Sequence, residues 1–524
     1  MAEHLSVSED PAVLIPSQFH QERDLLLRPS LDQLLIVGLL ILICAVRLLD
    51  LNYNTLFIDE ASYVSVGREL LNGTVDPQAL TWLSGSYLYP LLAAAVEQAG
   101  GVQALRGLSV LFSSGAAALV YMITAGLFSR TAGLWATLLF GMSGISIFVG
   151  QFAVFEALST PLLAGAIYLV VVSMQLTGRR GWMAVVGASI CLGLAVLVKY
   201  VLVIYIPAMA LLLLALALSY NRPFIARLTS LLAPASAMLL LYGFANYTQL
   251  RTLVLGTTTF EAGTAADIFR AVWDEAGLIG ILATVGGLAL ARKVKVARDD
   301  AVSWRIAWLM LGVLLTIALF ALPIYHLITG NVRSVNKHIL YTLVWLAPLA
   351  GVGCATLVAA CKRYSGFGSG ALRSAAGLSA LAATVILCNQ GFDRTWWWQH
   401  SWPNTTAALK ALRATDTEGP MLVEGSTIYS YYLTGTATER QQWFSTWEFA
   451  YDGKVGVDAM EAAIRDQYFA TVLLDDYYTP SVRARLSPAL NEAGYREVFA
   501  YAQQLSSGDT ILTTIYLRRA GVAE

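Results

Sequence analysis

The stretch LLIVGLLILICAVRLL, residues 34–49, is apolar apart from Arg47, and a helix of that composition belongs in hydrocarbon rather than in water. Blocks of the same kind recur at residues 158–176, 201–218, 307–324 and 339–360, each suited to crossing about 30 Å of bilayer core. The 524-residue chain is 57% hydrophobic and 13% charged, far from the balance of a soluble domain, and its apolar residues are gathered in runs. The segment before Leu31 is polar with both charges, so the first block lacks the flanks of a cleaved secretory signal and is expected to stay as a helix. A net charge of −1 leaves no basic face for nucleic acid. The five cysteines, Cys44, Cys191, Cys354, Cys361 and Cys388, lie in or beside apolar blocks without metal-type spacing, so neither disulfides nor a zinc site is expected.

One apolar block, residues 87–96, is too short to span: about ten residues rise only about 15 Å as a helix, and Glu97, Gln98 and two glycines follow. Omitting it gives eleven spans. It also gathers Arg130, Arg179, Arg180, Arg222, Arg227, Arg292, Lys293, Lys295, Arg298, Arg305, Lys362, Arg363 and Arg373 on the amino-terminal side. The opposite loops carry Lys199, Arg251, Arg270, Arg333 and Lys337. By the positive-inside rule the amino terminus is then cytoplasmic. The expected organisation is a cytoplasmic segment 1–30, a transmembrane domain 31–395 with a long outer loop 50–103, and an outer domain 396–524. In that last domain helical patterns at 405–412, 457–465 and 480–493 alternate with strand-like runs at 421–423, 471–474 and 510–517, a small mixed α/β fold.

The chemistry is expected on the outer face. Phe57-Ile58-Asp59-Glu60-Ala61-Ser62-Tyr63 opens a helical pattern just beyond the first span, with Tyr63, Val66, Gly67 and Leu70 on one face. An acidic pair there either favours the helix dipole or faces a cavity at the membrane surface. Glu156 lies in the short outer connection 149–157 between apolar blocks, where a charge is costly unless partnered. Two outer carboxylates converging on one pocket suit glycosyl transfer, one as base and the other orienting a group or holding a cation. In the outer domain Asp475, Asp476, Tyr477 and Tyr478 follow an apolar strand and read as a solvated strand end, with an acceptor-docking surface as the other reading. The domain itself reads as a lid or platform.

Through Asp59-Glu60-Ala61, Ala104-Leu105-Arg106, the stretch 150–168 with Glu156, and Gly193-Leu194-Ala195-Val196-Leu197-Val198-Lys199-Tyr200, the sequence resembles the C-type (GT-C) polytopic glycosyltransferases. Within them it resembles the branch of protein O-mannosyltransferases and lipid A aminoarabinose transferases, over roughly residues 35–350. The resemblance implies transfer of a sugar from a polyprenyl-phosphate donor at the outer leaflet, with inversion, to a glycan, lipid or protein acceptor. It implies a prokaryotic plasma (inner) membrane protein. Asp59 becomes the base, with Glu60 and Glu156 positioning acceptor, base or a divalent cation; no cofactor is required by the sequence, and which metal, if any, those three carboxylates hold stays open.

A cationic group must then meet the leaving phosphate, and Arg270, Arg333, Lys337, His338 and Lys199 are the outer-side candidates. Arg333 and Lys337 are one turn apart if their loop is helical. Relatives carry a basic residue before a Pro-Leu pair in the first outer loop, whereas this chain reads Gly85-Ser86-Tyr87-Leu88-Tyr89-Pro90-Leu91. Tyr87 and Tyr89, with Tyr63, are therefore candidates for lining the substrate groove. Two other classes remain: a transporter or flippase of a lipid-linked or small solute, disfavoured by the absence of repeated halves and by charges gathered on one face, and a non-catalytic binding component, which has no need of Asp59.

Overall fold

The computed structural model describes residues 31–256, 263–296, 312, 320–332, 334–364, 370–415, 419–433 and 442–519. They fall into two compact units.

The first unit takes in the described parts of residues 1–51, 76–89 and 105–394. It is helical: α1 (Leu31–Leu48), the long arm of α3 (Leu88–Leu127), α4 (Arg130–Gly141), α5 (Gly144–Gly150), α6 (Phe155–Gln175), α7 (Gly178–Val198), α8 (Ile206–Ser219), α9 (Phe224–Ala245), α10 (Tyr247–Gly256), α11 (Ala265–Val296), α12 (Phe320–Thr329), α13 (Val335–Tyr364) and α14 (Gly370–Gln399). Among the described residues eight helices are long and apolar enough to cross a membrane, or nine with α4 and α5, bent by 68°, taken as one span. Of the expected span 307–324, only residue 312 and residues 320–324 are among the described residues. Helices pack where small residues let backbones meet. A Cβ on Gly286 of α11 would stand 2.0 Å from Leu349 O of α13, and one on Gly353 of α13 would stand 2.1 Å from Leu282 O of α11.

The short block that sequence excludes from spanning is the first arm of α3, residues 88–99. It ends at Gly100 (φ −155°) and Gly101 (φ 65°), two non-helical residues that break α3 before its long arm. Only glycine takes such a φ and ψ without strain.

The second unit combines residues 52–75 and 90–104 with residues 395–524 as described, so parts of the segment that follows α1 group with the carboxy-terminal segment rather than with the spans. Its elements are α2 (Ile58–Asn72), α15 (Thr406–Ala414), α16 (Ser426–Leu433), α17 (Val457–Arg465) and α18 (Val482–Glu492), with β1 (Met421–Val423), β2 (Trp443–Ser445), β3 (Ala450–Tyr451), β4 (Lys454–Val455), β5 (Thr471–Leu474), β6 (Arg496–Gln504) and β7 (Thr510–Leu517). The sheet runs β2-β1-β5-β7-β6, its first three strands parallel and the rest antiparallel. Alternation along each strand fills both faces. Leu422, Val472 and Leu474 pack with α17 and α18, whereas Met421, Val423 and Leu473 pack with α15 and α16.

Residues 52–75 are stitched into this unit by groups far along the chain. Asn54 Nδ2 donates to Gln399 O and Trp402 O, both at 3.1 Å, Trp402 Nε1 donates to Thr55 O at 3.1 Å, and Leu56 N donates to the Tyr432 hydroxyl at 2.9 Å. Leu56 and Ala61 bury against Ile428 beneath Tyr431, Tyr432 and Tyr478.

Candidate active site

The chemistry-bearing residues form two groups, one in each unit. In the first unit the end of α7 is pinned by the loop that precedes α3. Ser86 N donates to Leu197 O at 2.8 Å and Tyr200 N to Ser84 O at 3.3 Å. Between them Gly85 is obligatory, since a Cβ there would lie 2.2 Å from Val198 O and 3.0 Å from the Phe155 ring. Residues 84–86 thus serve as a clamp on the segment that ends in Lys199.

Lys199 caps α7 in extended conformation. Its ammonium lies 3.0 Å from Glu156 Oε1, with side-chain exposures of 8% and 0%, and 5.6 Å from the centre of the Phe155 ring. Glu156 is not in a connection, as sequence suggests, but in the first turn of α6, where the helix dipole favours a carboxylate. His338, in the first turn of α13, places Nε2 3.9 Å from the same Oε1. His326 of α12 completes a chain: its Nε2 is 2.9 Å from His338 Nδ1 and its Nδ1 is 2.7 Å from Asn331 O. Tyr341 fixes α13 to α6. Ser159 Oγ donates to Phe155 O at 2.9 Å, so the Tyr341 hydroxyl, 2.7 Å away, donates to Ser159. Lys337 acts electrostatically on both Glu156 and His338. The result is a buried carboxylate bridged to an ammonium, with a second ammonium and two imidazoles around it, a set suited to receiving an anion.

In the second unit Asp59 and Glu60 sit in the first turn of α2. Glu60 is buried, and its Oε2 accepts from Phe57 N at 3.1 Å, the reach-back of a helix cap. Its task in this structure is thus to hold the helix start that presents Asp59. Asp59 is half-buried and acts on the phenols of Tyr477 and Tyr478. Burial, Asp475 and Asp59 together push Tyr477 up to about 12. More than two turns further along α2, Arg68 donates to Glu97 Oε2 at 2.8 and 3.2 Å and lies 4.9 Å over the Tyr431 ring, while the Tyr431 hydroxyl donates to Glu97 Oε1 at 2.8 Å. Gly67 lets α2 lie against the first arm of α3, where a Cβ would stand 2.0 Å from Pro90 O.

Several expectations change. Asp475 is not a solvated strand end: it is fully buried beside Glu424, at the carboxyl ends of neighbouring strands β5 and β1. Glu424 Oε2 accepts from Asp475 N and Asp476 N at 2.8 and 3.0 Å, and Oε1 from Thr479 N at 2.6 Å. Burial and the Glu424 charge hold the Asp475 carboxyl well above the usual carboxylate range. Tyr63 and Tyr89 are buried rather than groove-lining: Tyr63 is in the interior of the second unit and Tyr89 packs 5.5 Å from Phe155 in the first. Tyr87 is half-buried. Arg270 is exposed on α11, and Arg333 lies outside the described residues. Asp59 belongs to the second unit and Glu156 to the first.

Sequence reasoning passed over His326, although His326 and His338 bracket the same short loop. It also passed over Glu424 and the Arg394–Glu275 pair at 2.8 Å that ties α14 to α11.

Residues 66–254 match the sequence model of the dolichyl-phosphate-mannose-protein mannosyltransferases. No curated protein matches. Among solved structures the chain is similar to ArnT from Cupriavidus metallidurans in the apo state, with TM-score 0.58 and 13% identity over 91% of this chain and 97% of that one. The same protein bound to undecaprenyl phosphate gives TM-score 0.55 and 13% identity over 93% and 99%. The archaeal oligosaccharyltransferase AglB from Archaeoglobus fulgidus, in complex with an inhibitory peptide and a dolichol-phosphate, gives TM-score 0.53 and 13% identity over 93% of this chain and 75% of that one. The fold is that of the C-type membrane glycosyltransferases.

Proposed function

We propose that this chain, built on the C-type fold, is a membrane glycosyltransferase that takes a sugar from a polyprenyl-phosphate donor and passes it to an acceptor at the outer face. The observation that carries the reading is the buried Glu156–Lys199 pair with Lys337 beside it, in a chain whose residues 66–254 match a mannosyltransferase family. A lipid phosphate as ligand is supported by the similar structures, which contain undecaprenyl phosphate and a dolichol-phosphate.

In this reading Asp59 takes the proton of the acceptor hydroxyl as its oxygen bonds to the anomeric carbon. The bond from that carbon to the phosphate oxygen breaks, and polyprenyl phosphate leaves with the electron pair. Lys199 and Lys337 receive the charge that develops on the phosphate. The sugar arrives with inverted configuration. Glu60 keeps the start of α2 in place, and Glu156 keeps the Lys199 ammonium aimed. A transporter or flippase reading has neither the family match nor the fold in its favour.

The test is transfer by the purified full chain in detergent, from a panel of polyprenyl-phosphate hexoses and pentoses, beside Asp59→Asn. Transfer that falls about 10²- to 10⁴-fold in a folded Asp59→Asn protein supports the base. Equal transfer by both proteins rules it out, and no transfer or donor binding by the wild type rules out the enzyme.

A further inference from the structure

The hydrogen-bond chain at the Glu156 cluster fixes more than geometry. Asn331 O is a main-chain carbonyl and only accepts, so His326 Nδ1, 2.7 Å away, carries the hydrogen. Lys199 and Lys337 already act on His338, so neutral rings keep a further positive charge out of the cluster. In a neutral His326 the other nitrogen, Nε2, is an acceptor, and it takes its hydrogen from His338 Nδ1 at 2.9 Å. His338 is thereby left with a lone pair on Nε2. That atom is buried, and it has no hydrogen-bond partner among the described residues; Glu156 Oε2 is in the same condition. Two buried acceptors without a donor mark a place where a donor arrives with the ligand.

A phosphate is not that donor, because its ionised oxygens also only accept. The group attached to the phosphate in a lipid-linked sugar does carry donors: its hydroxyls. We propose that His338 Nε2 accepts a hydrogen bond from a hydroxyl of the transferred sugar, which makes His338 the residue that reads the donor sugar while Lys199 holds its phosphate. The assignment rests on the transferase reading above and separates His338 from the phosphate-binding set in which sequence placed it. His326 is a positioning residue, acting only through the tautomer it imposes on His338.

The test compares binding of polyprenyl monophosphate with binding of polyprenyl-phosphate sugars and their singly deoxygenated forms to the full chain in detergent. Wild type, His338→Phe and His338→Gln are measured side by side. In the wild type, removal of one particular hydroxyl weakens binding about 10- to 100-fold. In His338→Phe that hydroxyl no longer matters, and His338→Gln, which restores an acceptor, recovers part of the discrimination. The sugar-free lipid loses far less than the sugar-bearing one in either variant. A deoxy series that costs the same in wild type and His338→Phe overturns the assignment while leaving the transferase reading intact, as does an equal loss for both lipids. A wild type that binds neither lipid overturns both. Nitrogen-15 NMR of histidine-labelled wild type needs no variant: Nε2 of His338 should be hydrogen-free over about pH 6 to 8 and should shift on adding the sugar-bearing lipid but not the monophosphate. A hydrogen-bearing Nε2, or the same response to both lipids, overturns the proposal.

Discussion

The Lys199 ammonium and the Glu156 carboxylate meet at 3.0 Å with almost no contact with solvent. Removing one member of a buried pair strands the other's charge, which costs about 3–5 kcal/mol, whereas removing both is nearly neutral.

Lys199→Met is therefore expected to lower the stability of the detergent-solubilised protein by about that amount. Lys199→Met combined with Glu156→Gln should recover most of it. Both proteins should remain inactive. Thermal unfolding of the three proteins beside transfer assays checks this, and a double variant as unstable as the single one sinks the interpretation.

Asp59 and Glu60 should separate cleanly. Asp59→Asn is expected to leave the unfolding temperature unchanged while transfer falls, because Asp59 is half-buried and its helix is capped by its neighbour. Glu60→Ala removes the acceptor for Phe57 N and should cost about 1 kcal/mol with a partial loss of transfer. Reversed behaviour of the two variants would falsify the division of roles.

Gly85→Ala tests the loop clamp. The added Cβ would meet Val198 O at 2.2 Å, a backbone atom that cannot step aside without moving the end of α7. A loss of about 1–3 kcal/mol is expected, with weaker binding of polyprenyl monophosphate because Lys199 moves with that end. Unchanged lipid binding would detach the loop from the phosphate site.

The strand-end carboxyls set a pH dependence. Burial and the Glu424 charge beside it raise the folded pKa of Asp475. Asp476 next to it is raised by burial while Arg483, 3.0 Å away, opposes the shift. A raised carboxyl contributes stability that is fully present below the unfolded value of about 3.9 and is lost as pH climbs through the folded value. The protection of β1 and β5 amides, with the intrinsic exchange rate divided out, should therefore fall from acidic toward neutral pH, and Asp475→Asn should flatten that dependence. Equal slopes in both proteins would exclude Asp475 as the titrating group.

Sequence revealed what depends on composition along one segment. Long apolar runs announced the spanning helices, and alternation at 421–423, 471–474 and 510–517 marked three of the strands almost to the residue. The cost of a charge between apolar blocks singled out Glu156. What pattern could not convey was which ends meet. His326 looks like an interfacial residue until Asn331 O and His338 are placed around it, and Asp475 looks solvated until β1 brings Glu424 alongside. Tyr63 and Tyr89 illustrate the same limit, because an aromatic face turned to an interior reads like one turned to lipid.

The bonds from Asn54 to Gln399 and Trp402 join groups 345 and 348 residues apart. A ribosome adding about 5–20 residues per second needs roughly 20 to 70 s to make the second partner after the first. Through that interval the helix bearing Asp59 lacks the support it finally rests on. The seat of that helix is completed only once residues 399–402 have been made, so the start of α2 depends until then on the cap that Glu60 gives it.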